Sequence, residues 1–179
     1  MALVVQKYGG TSVGTIEKIQ NVARRVARTY DEGNDMVVVV SAMAGETNKL
    51  VALAEEMCEF PSEREYDVLV AAGEQVSIAL LSMALQSMGY KAKSYLGWQI
   101  PVYTDNSFSK ARIEEIQDVN IREDLHNGTI VIVAGFQKTW HDGDPDRDLL
   151  VADCCCLCLN SVIACCICCS VNLGSMPLM

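Results

Sequence analysis

Lys7-Tyr8-Gly9-Gly10-Thr11-Ser12-Val13-Gly14 follows the apolar run Leu3-Val4-Val5 and precedes a helix-patterned stretch that begins near Ile16. A strand that opens through glycines into a helix aims several backbone N–H groups at one point. The partial positive charge of the helix N-terminus adds to them, so the turn is an anion site in waiting. Lys7, at the end of the strand, brings a mobile cation to the same place. The pattern is not a Walker A loop, in which the lysine comes after the glycines, nor the Gly-x-Gly-x-x-Gly dinucleotide fingerprint. A plain strand-to-helix turn, with glycines for positive φ and a solvated lysine, stays open on local chemistry alone.

Outward from this turn, strand and helix patterns alternate. Ile16, Ile19, Val22, Ala23, Val26, Ala27 and Tyr30 recur at helical spacing, with Arg24, Arg25 and Arg28 mostly on the other face, and Gly33-Asn34 stops the helix. Met36 to Val40 is an unbroken apolar run, as a central strand covered on both faces requires. Thr47 or Asn48 is placed to cap the next helix, which carries Leu50, Leu53, Ala54 and Met57. Pro61-Ser62 breaks it, and a long helical stretch runs from about Arg64 to Met88. Gly73 lies inside that stretch at a cost of about 1 kcal/mol relative to alanine, which a close approach or a kink would explain. Strands are expected at Ala92 to Tyr95, Ile100 to Tyr103 and Thr129 to Val133, with short helices near Ala111 to Ile116 and Ile121 to His126.

Strands separated by helices imply an α/β layered domain with a mostly parallel sheet flanked by helices. Ligands of such sheets bind beyond the carboxyl ends of the strands, where Lys7, Ser41 and Gly135 all fall. The 179 residues suffice for one domain with a real core. The net charge of −9, without a long Lys/Arg cluster, argues against nucleic acid. A small phosphorylated ligand remains compatible, because a local cation and an N–H nest outweigh a diffuse negative field. Met1 to Val5 lacks the make-up of a signal peptide, and Cys58 is the single cysteine before Cys154. The body of the chain therefore reads as a soluble cytoplasmic domain.

Five ordered motifs resemble the aspartate kinase family: Met1 to Gly14; Val38-Val39-Val40-Ser41-Ala42-Met43-Ala44-Gly45-Glu46-Thr47-Asn48; Ala72-Gly73-Glu74-Gln75-Val76-Ser77; Gly97-Trp98-Gln99 with Thr104-Asp105; and Val133-Ala134-Gly135-Phe136-Gln137. The resemblance runs from residue 1 to about 137. It implies an amino-acid-kinase-like fold, incomplete on its C-terminal side. The implied activity is transfer of the ATP γ-phosphate, with Mg²⁺, to the side-chain carboxylate of L-aspartate, giving 4-phospho-L-aspartate on the route to lysine, threonine and methionine.

By that resemblance Lys7 is the catalytic residue and neutralises charge on the phosphates. Tyr8, Gly9, Gly10 and Ser12 belong to the loop that holds the transferring group, the amides of Gly9 and Gly10 foremost. Ser41 ends the second strand, where its amide and hydroxyl would meet a phosphate or the acceptor carboxylate; a turn serine is the alternative. Thr47 matches a substrate-contacting threonine, with a helix cap as its plainer role. Glu74 would pair with the substrate ammonium, the preceding glycine leaving room, and a solvated helix face is its ordinary fate. A kinase for another acidic amino acid, such as glutamate, shares the fold; the Gly-Glu-Gln-Val-Ser and Ser-Ala-Met-Ala-Gly contexts favour aspartate.

No metal site is expected: His126 and His141 lack partners at metal spacing. Asp142, Asp144, Asp146 and Asp148 lack the glycine and glutamate of a calcium loop, and read as a solvated acidic run.

The family's Phe-Gln-Gly continuation departs here at Lys138. The Gly-Arg-Gly-Gly-Ser-Asp run that would bind the aspartate α-carboxylate and the Thr-Asp-Val-Asp-Gly run of the nucleotide site do not follow. Residues 1–153 thus read as the N-terminal portion of a kinase domain, and residues 154–179 as an uncharged tail with eight of the nine cysteines. A membrane anchor has the length there but is weakened by Asn160, Ser161, Ser170 and Asn172 and has no basic flank. Adjacent cysteines cannot all reach one tetrahedral ion. The reading we favour is a shifted frame, since GCT-type alanine codons read two bases over give TGC, cysteine; resequencing the coding DNA from the Gln137 codon tests it. Little or no catalysis by this chain alone is then expected. The rival is a non-catalytic fragment, pairing with further copies or with intact kinase, or a tail-anchored binding module.

Overall fold

Valine and isoleucine dominate the strands that meet at the centre of this protein, because branched side chains fill both faces of a covered parallel sheet. The computed structural model describes residues 2–96, 99–100, 102–104, 113–116, 119–135 and 139–140. Strand β1 (Leu3–Tyr8) runs through a 3-10 turn at Gly10–Ser12 into helix α1 (Ile16–Asp31), followed by β2 (Asp35–Val40), α2 (Glu46–Met57) and α3 (Glu63–Ser87). Next come β3 (Ala92–Tyr95), β4 (Val102–Thr104), β5 (Ile113–Ile116), α4 (Val119–His126), β6 (Ile130–Ala134) and β7 (Thr139–Trp140).

The main sheet has the order β1-β2-β6-β3, and every pair in it is parallel. Its registers set Tyr8 level with Val40, and Val40 level with Ala134. The carboxyl ends of three strands therefore finish on one line. Met36, Val38, Val40, Ile130, Ile132 and Ala134 face α1 and α3, where they join Ile19, Val22, Val26, Ile78, Leu81 and Leu85 in the larger core. Val37, Val131 and Val133 face the other way, onto Ile121 and Leu125 of α4. The layered α/β expectation is met.

Local chemistry explains most of the boundaries. The Thr15 hydroxyl accepts from the Lys18 amide and starts α1; the Ser62 hydroxyl accepts from the Glu65 amide and starts α3. Gly33, at φ +86°, ends α1. Helix α3 is long and apolar enough by length and composition to cross a bilayer. It lies instead on the sheet and between α1 and α2, with Ile78, Leu81 and Leu85 buried.

Two expectations fail. Residues 113–116, expected at the end of a helix, are strand β5, paired antiparallel with β4 in a small second sheet of order β5-β4-β7. Ile113 and Ile116 lie three apart and suit a helical face, but a partner strand at Val102–Thr104 decides in favour of pairing. Thr47 does not cap α2 either. Gly45 does, at φ +88° and without a side-chain bond, so Thr47 is already inside the helix. Asp105, Phe136, Gln137, His141, the acidic run 142–148 and the tail 154–179 lie outside the described residues, as do Gly97 and Trp98.

Between β3 and α4, Lys93 bonds Asp124 at 2.8 Å and sits 5.0 Å over the Tyr95 ring, while the Tyr95 hydroxyl donates to the same carboxylate. The bond to Asp124 raises Lys93 above the ordinary lysine value. Burial pushes Asp124 up, but the bonds from Lys93 and Tyr95 outweigh it and hold the carboxyl below its usual range. A depressed carboxyl contributes stability above its unfolded value of about 4, which is lost as pH falls through the lower folded value. A raised lysine contributes below its unfolded value of about 10, lost as pH rises through the folded one. Asp124→Asn should cost about 1 kcal/mol at pH 7, because the carboxylate is half-buried but its partner Lys93 is exposed and solvent-screened. It should also flatten the acid limb of a stability-versus-pH curve measured by urea unfolding; an unchanged acid limb would refute the assignment.

Candidate active site

The glycine turn is built by its carbonyls. Tyr8 O accepts from the Ser41 amide at 3.1 Å, Gly9 O from the Ser12 amide at 2.9 Å, and Gly10 O from the amides of Val13 at 3.3 Å and Ala44 at 3.1 Å. In a planar trans peptide the next N–H points opposite to the carbonyl. The amides of Gly9, Gly10 and Thr11 are consequently turned away from the groups their carbonyls bind. Three successive donors so oriented are the ingredients of an anion nest.

The two inner glycines are needed for room. A β-carbon on Gly10 would stand 2.6 Å from the Ala42 carbonyl oxygen, and one on Gly14 3.1 Å from the Ala44 β-carbon. Gly9 has ordinary extended backbone, φ −75°, and open space where its side chain would be. The loop after β1 and the loop after β2 are thus packed backbone to backbone, with only Gly9 facing outward.

Helix α3 closes the site from above the sheet. Gly73 is buried, and a β-carbon there would lie 3.2 Å from the Ala42 β-carbon and 3.3 Å from Leu50 Cδ1. The close approach anticipated from its position inside a helix is therefore present. The carboxylate of the next residue, Glu74, reaches the end of β6, its oxygens 3.6 and 3.7 Å from the β-carbon position of Gly135. The Gly135 amide bonds Val40 O at 3.0 Å. Glu74, Gly135, Ser41 and the glycine turn are in this way gathered at the ends of β1, β2 and β6.

The remaining expected residues are placed as follows. Lys7 is the penultimate residue of β1, opposite Val39, and is exposed. Strand alternation puts it on the α4 face with Leu3 and Val5, which pack there. Tyr8 and Ser12 instead line a cavity of about 200 Å³ on the α1 side, with Thr11, Lys18, Asn21, Val22 and Arg25. The Tyr8 hydroxyl donates to Gln6 Oε1 at 2.8 Å; burial raises it above the ordinary tyrosine value, and the Arg25 guanidinium opposes that rise. Thr47 is exposed in the first turn of α2. Lys7 and Tyr8, neighbours in the chain, thus project to opposite sides of the sheet.

A family model for the amino acid kinase family matches residues 2–156. This chain belongs to the amino acid kinase family. The match reaches past Gln137, where the motif-by-motif resemblance ends, to the first cysteines of the tail. Among amino acid kinases, an aspartokinase of Pseudomonas aeruginosa is 57% identical over 144 residues, which make up 80% of this chain and 35% of that protein. An aspartokinase of Geobacillus stearothermophilus is 53% identical over 144 residues, again 80% and 35%. The crystal structure of an aspartate kinase from Synechocystis superposes with a TM-score of 0.65 at 42% identity, covering 82% of this chain and 23% of that one. This amino acid kinase chain spans about a third of the length of the curated relatives it matches.

Sequence reasoning had no argument for two residues of this site. Ala42 sets the packing of both Gly10 and Gly73, and Ser77 is a fully buried serine. The signal for Ser77 was available: it falls on the buried stripe of α3 with Gly73, Leu81 and Leu85, where a polar side chain must find a partner.

Proposed function

We propose that this chain is the phosphate- and acceptor-binding part of an aspartate kinase, using ATP and L-aspartate. The observation that carries the reading is the placement of the Glu74 carboxylate over Gly135, at the strand ends that also bear the glycine turn. An anion nest beside a carboxylate suits a phosphate donor next to an ammonium-bearing acceptor. The aspartokinases at 53% and 57% identity support aspartate as that acceptor.

Phosphoryl transfer needs positioned charge more than covalent chemistry. Lys7 would neutralise phosphate charge, the amides of Gly9 and Gly10 would hold the transferring oxygens, and Ser41 would meet the phosphate or the acceptor carboxylate. Tyr8 and Ser12 shape the loop from the α1 side, Thr47 lies at the acceptor's approach, and Glu74 would take the acceptor ammonium. Mg²⁺ would be held chiefly by the nucleotide's own phosphates. A cytoplasmic location and association with further copies or with intact kinase belong to the same reading.

A second reading is that residues 1–179 form a half-site that binds both ligands without turning over. Calorimetric titration separates the two from an unrelated role. MgATP and L-aspartate should each bind this chain, aspartate with a Kd of about 1 mM or tighter, at the weak end of ordinary substrate affinities. Glutamate should bind at least about tenfold more weakly, since a longer chain moves the ammonium off Glu74. No heat with aspartate at well above that concentration would sink the proposal. Binding without aspartate-dependent ATP turnover would identify the half-site.

A further inference from the structure

We infer that Ser77 is a positioning residue, whose hydroxyl locks the Glu74 turn of α3 onto the exit of β2. The inference rests on the reading of Glu74 and Ser41 as site residues. Ser77 is 0% exposed among mainly apolar buried residues. Its hydroxyl donates to the Ser41 carbonyl at 2.9 Å and to the Glu74 carbonyl at 3.0 Å. A hydroxyl has one proton, so these two carbonyls share it. The bond within the helix is the ordinary back-bond of a helical serine. The bond to Ser41 crosses from helix to strand end and joins two elements far apart in the chain.

The consequence is geometric. Glu74 lies on the same helical turn as Ser77, and Ser41 begins the loop that continues through Ala42 to Ala44. Ala42 packs against both Gly10 and Gly73, and the Ala44 amide is bonded to Gly10 O. One buried hydroxyl therefore fixes the height of the Glu74 carboxylate relative to the loop against which the glycine turn is packed. Any sliding of α3 along the sheet would break it, and the Ser41 carbonyl would be left in a dry site without that donor. A merely structural serine would stabilise the fold as a whole; a positioning serine acts on these loops in particular.

Ser77→Ala separates the two roles, with Ser82→Ala as the control, since Ser82 is buried on the same helix at 6% exposure. Amide hydrogen exchange would be followed by NMR on the unliganded chain. Ser77→Ala should speed exchange of the Ser41 and Ala44 amides about tenfold relative to the Val38 amide in the central strand, the effect of losing one buried bond. Ser82→Ala should leave that ratio within twofold. Ser77→Cys, with a weaker donor of similar size, should fall between. A Ser77→Ala ratio equal to that of Ser82→Ala would overturn the inference. If L-aspartate binds the parent chain, Ser77→Ala should weaken it about tenfold and MgATP less than twofold; equal weakening of both would also overturn it. Changed exchange together with a parent chain that binds no aspartate would leave the lock standing and remove the aspartate reading instead.

Discussion

Gly10→Ala is expected to destabilise the chain by about 1–3 kcal/mol and to abolish nucleotide binding, whereas Gly9→Ala should leave stability within about 0.5 kcal/mol. The contrast comes from two adjacent glycines with opposite surroundings. The new β-carbon at position 10 would meet the Ala42 carbonyl oxygen at 2.6 Å, and that oxygen is main chain, so no rotamer can relieve the clash. The loops after β1 and β2 must part, which breaks the bond from the Ala44 amide to Gly10 O and turns the Thr11 amide out of place. At position 9 nothing lies within 4 Å and the backbone is already extended. If that open space is where a phosphate sits, Gly9→Ala should weaken MgATP binding without weakening the fold. Urea unfolding and calorimetry on the two variants give the result. Equal stability of both variants would mean that the two loops are not packed as described.

Unlike Gly10→Ala, Lys7→Ala should spare the fold while removing function. Lys7 is exposed near the end of β1, so even the loss of a surface interaction should change stability by no more than about 1 kcal/mol. Charge held beside a transferring phosphoryl group is a different matter. Removing one preorganised donor from a developing anion commonly costs about 10²–10³-fold in rate. Aspartate-dependent ATP turnover, in whatever measure the parent chain shows it, should therefore fall at least about a hundredfold, and the MgATP Kd should rise about tenfold or more. Lys7→Arg should recover little, because a planar fork does not replace a compact ammonium at the end of a strand. Nucleotide affinity unchanged in Lys7→Ala would remove this residue from the site.

The sequence was informative where one local cause decides the structure. Met36 to Val40 had to be a central strand, because a polar residue was nowhere available for an exposed face, and it is buried throughout as β2. The period of α1, the breaker Pro61-Ser62 and the limits of β3 were legible in the same way. Gly73 signalled a close approach by its cost inside a helix. Where two causes compete, tertiary context chose. Ile113-Glu114-Glu115-Ile116 suits either period, and pairing with β4 made it a strand. Thr47 has the chemistry of a cap, but the left-handed backbone at Gly45 starts α2 two residues earlier. For the candidate site, the sequence offers residues but not their grouping. That Lys7 and Tyr8 diverge, that Glu74 stands over Gly135, and that Ser77 ties them to Ser41 all follow from register and packing, which no single segment encodes.

The position of β6 has a consequence for how the protein emerges from the ribosome. It lies between β2 and β3, yet it follows both in the chain. Until residues 130–134 have left the exit tunnel, the middle of the sheet is missing, and β2 and β3 present bare edges and apolar faces to the cell. Pairing between such distant segments is slow, and exposed edges invite the wrong partners. Translation of this chain should therefore pass through a long vulnerable interval in which the first hundred or so residues are prone to wrong pairing. The candidate site can assemble only at the end of that interval, since the same strand that closes the sheet delivers Gly135 beneath Glu74.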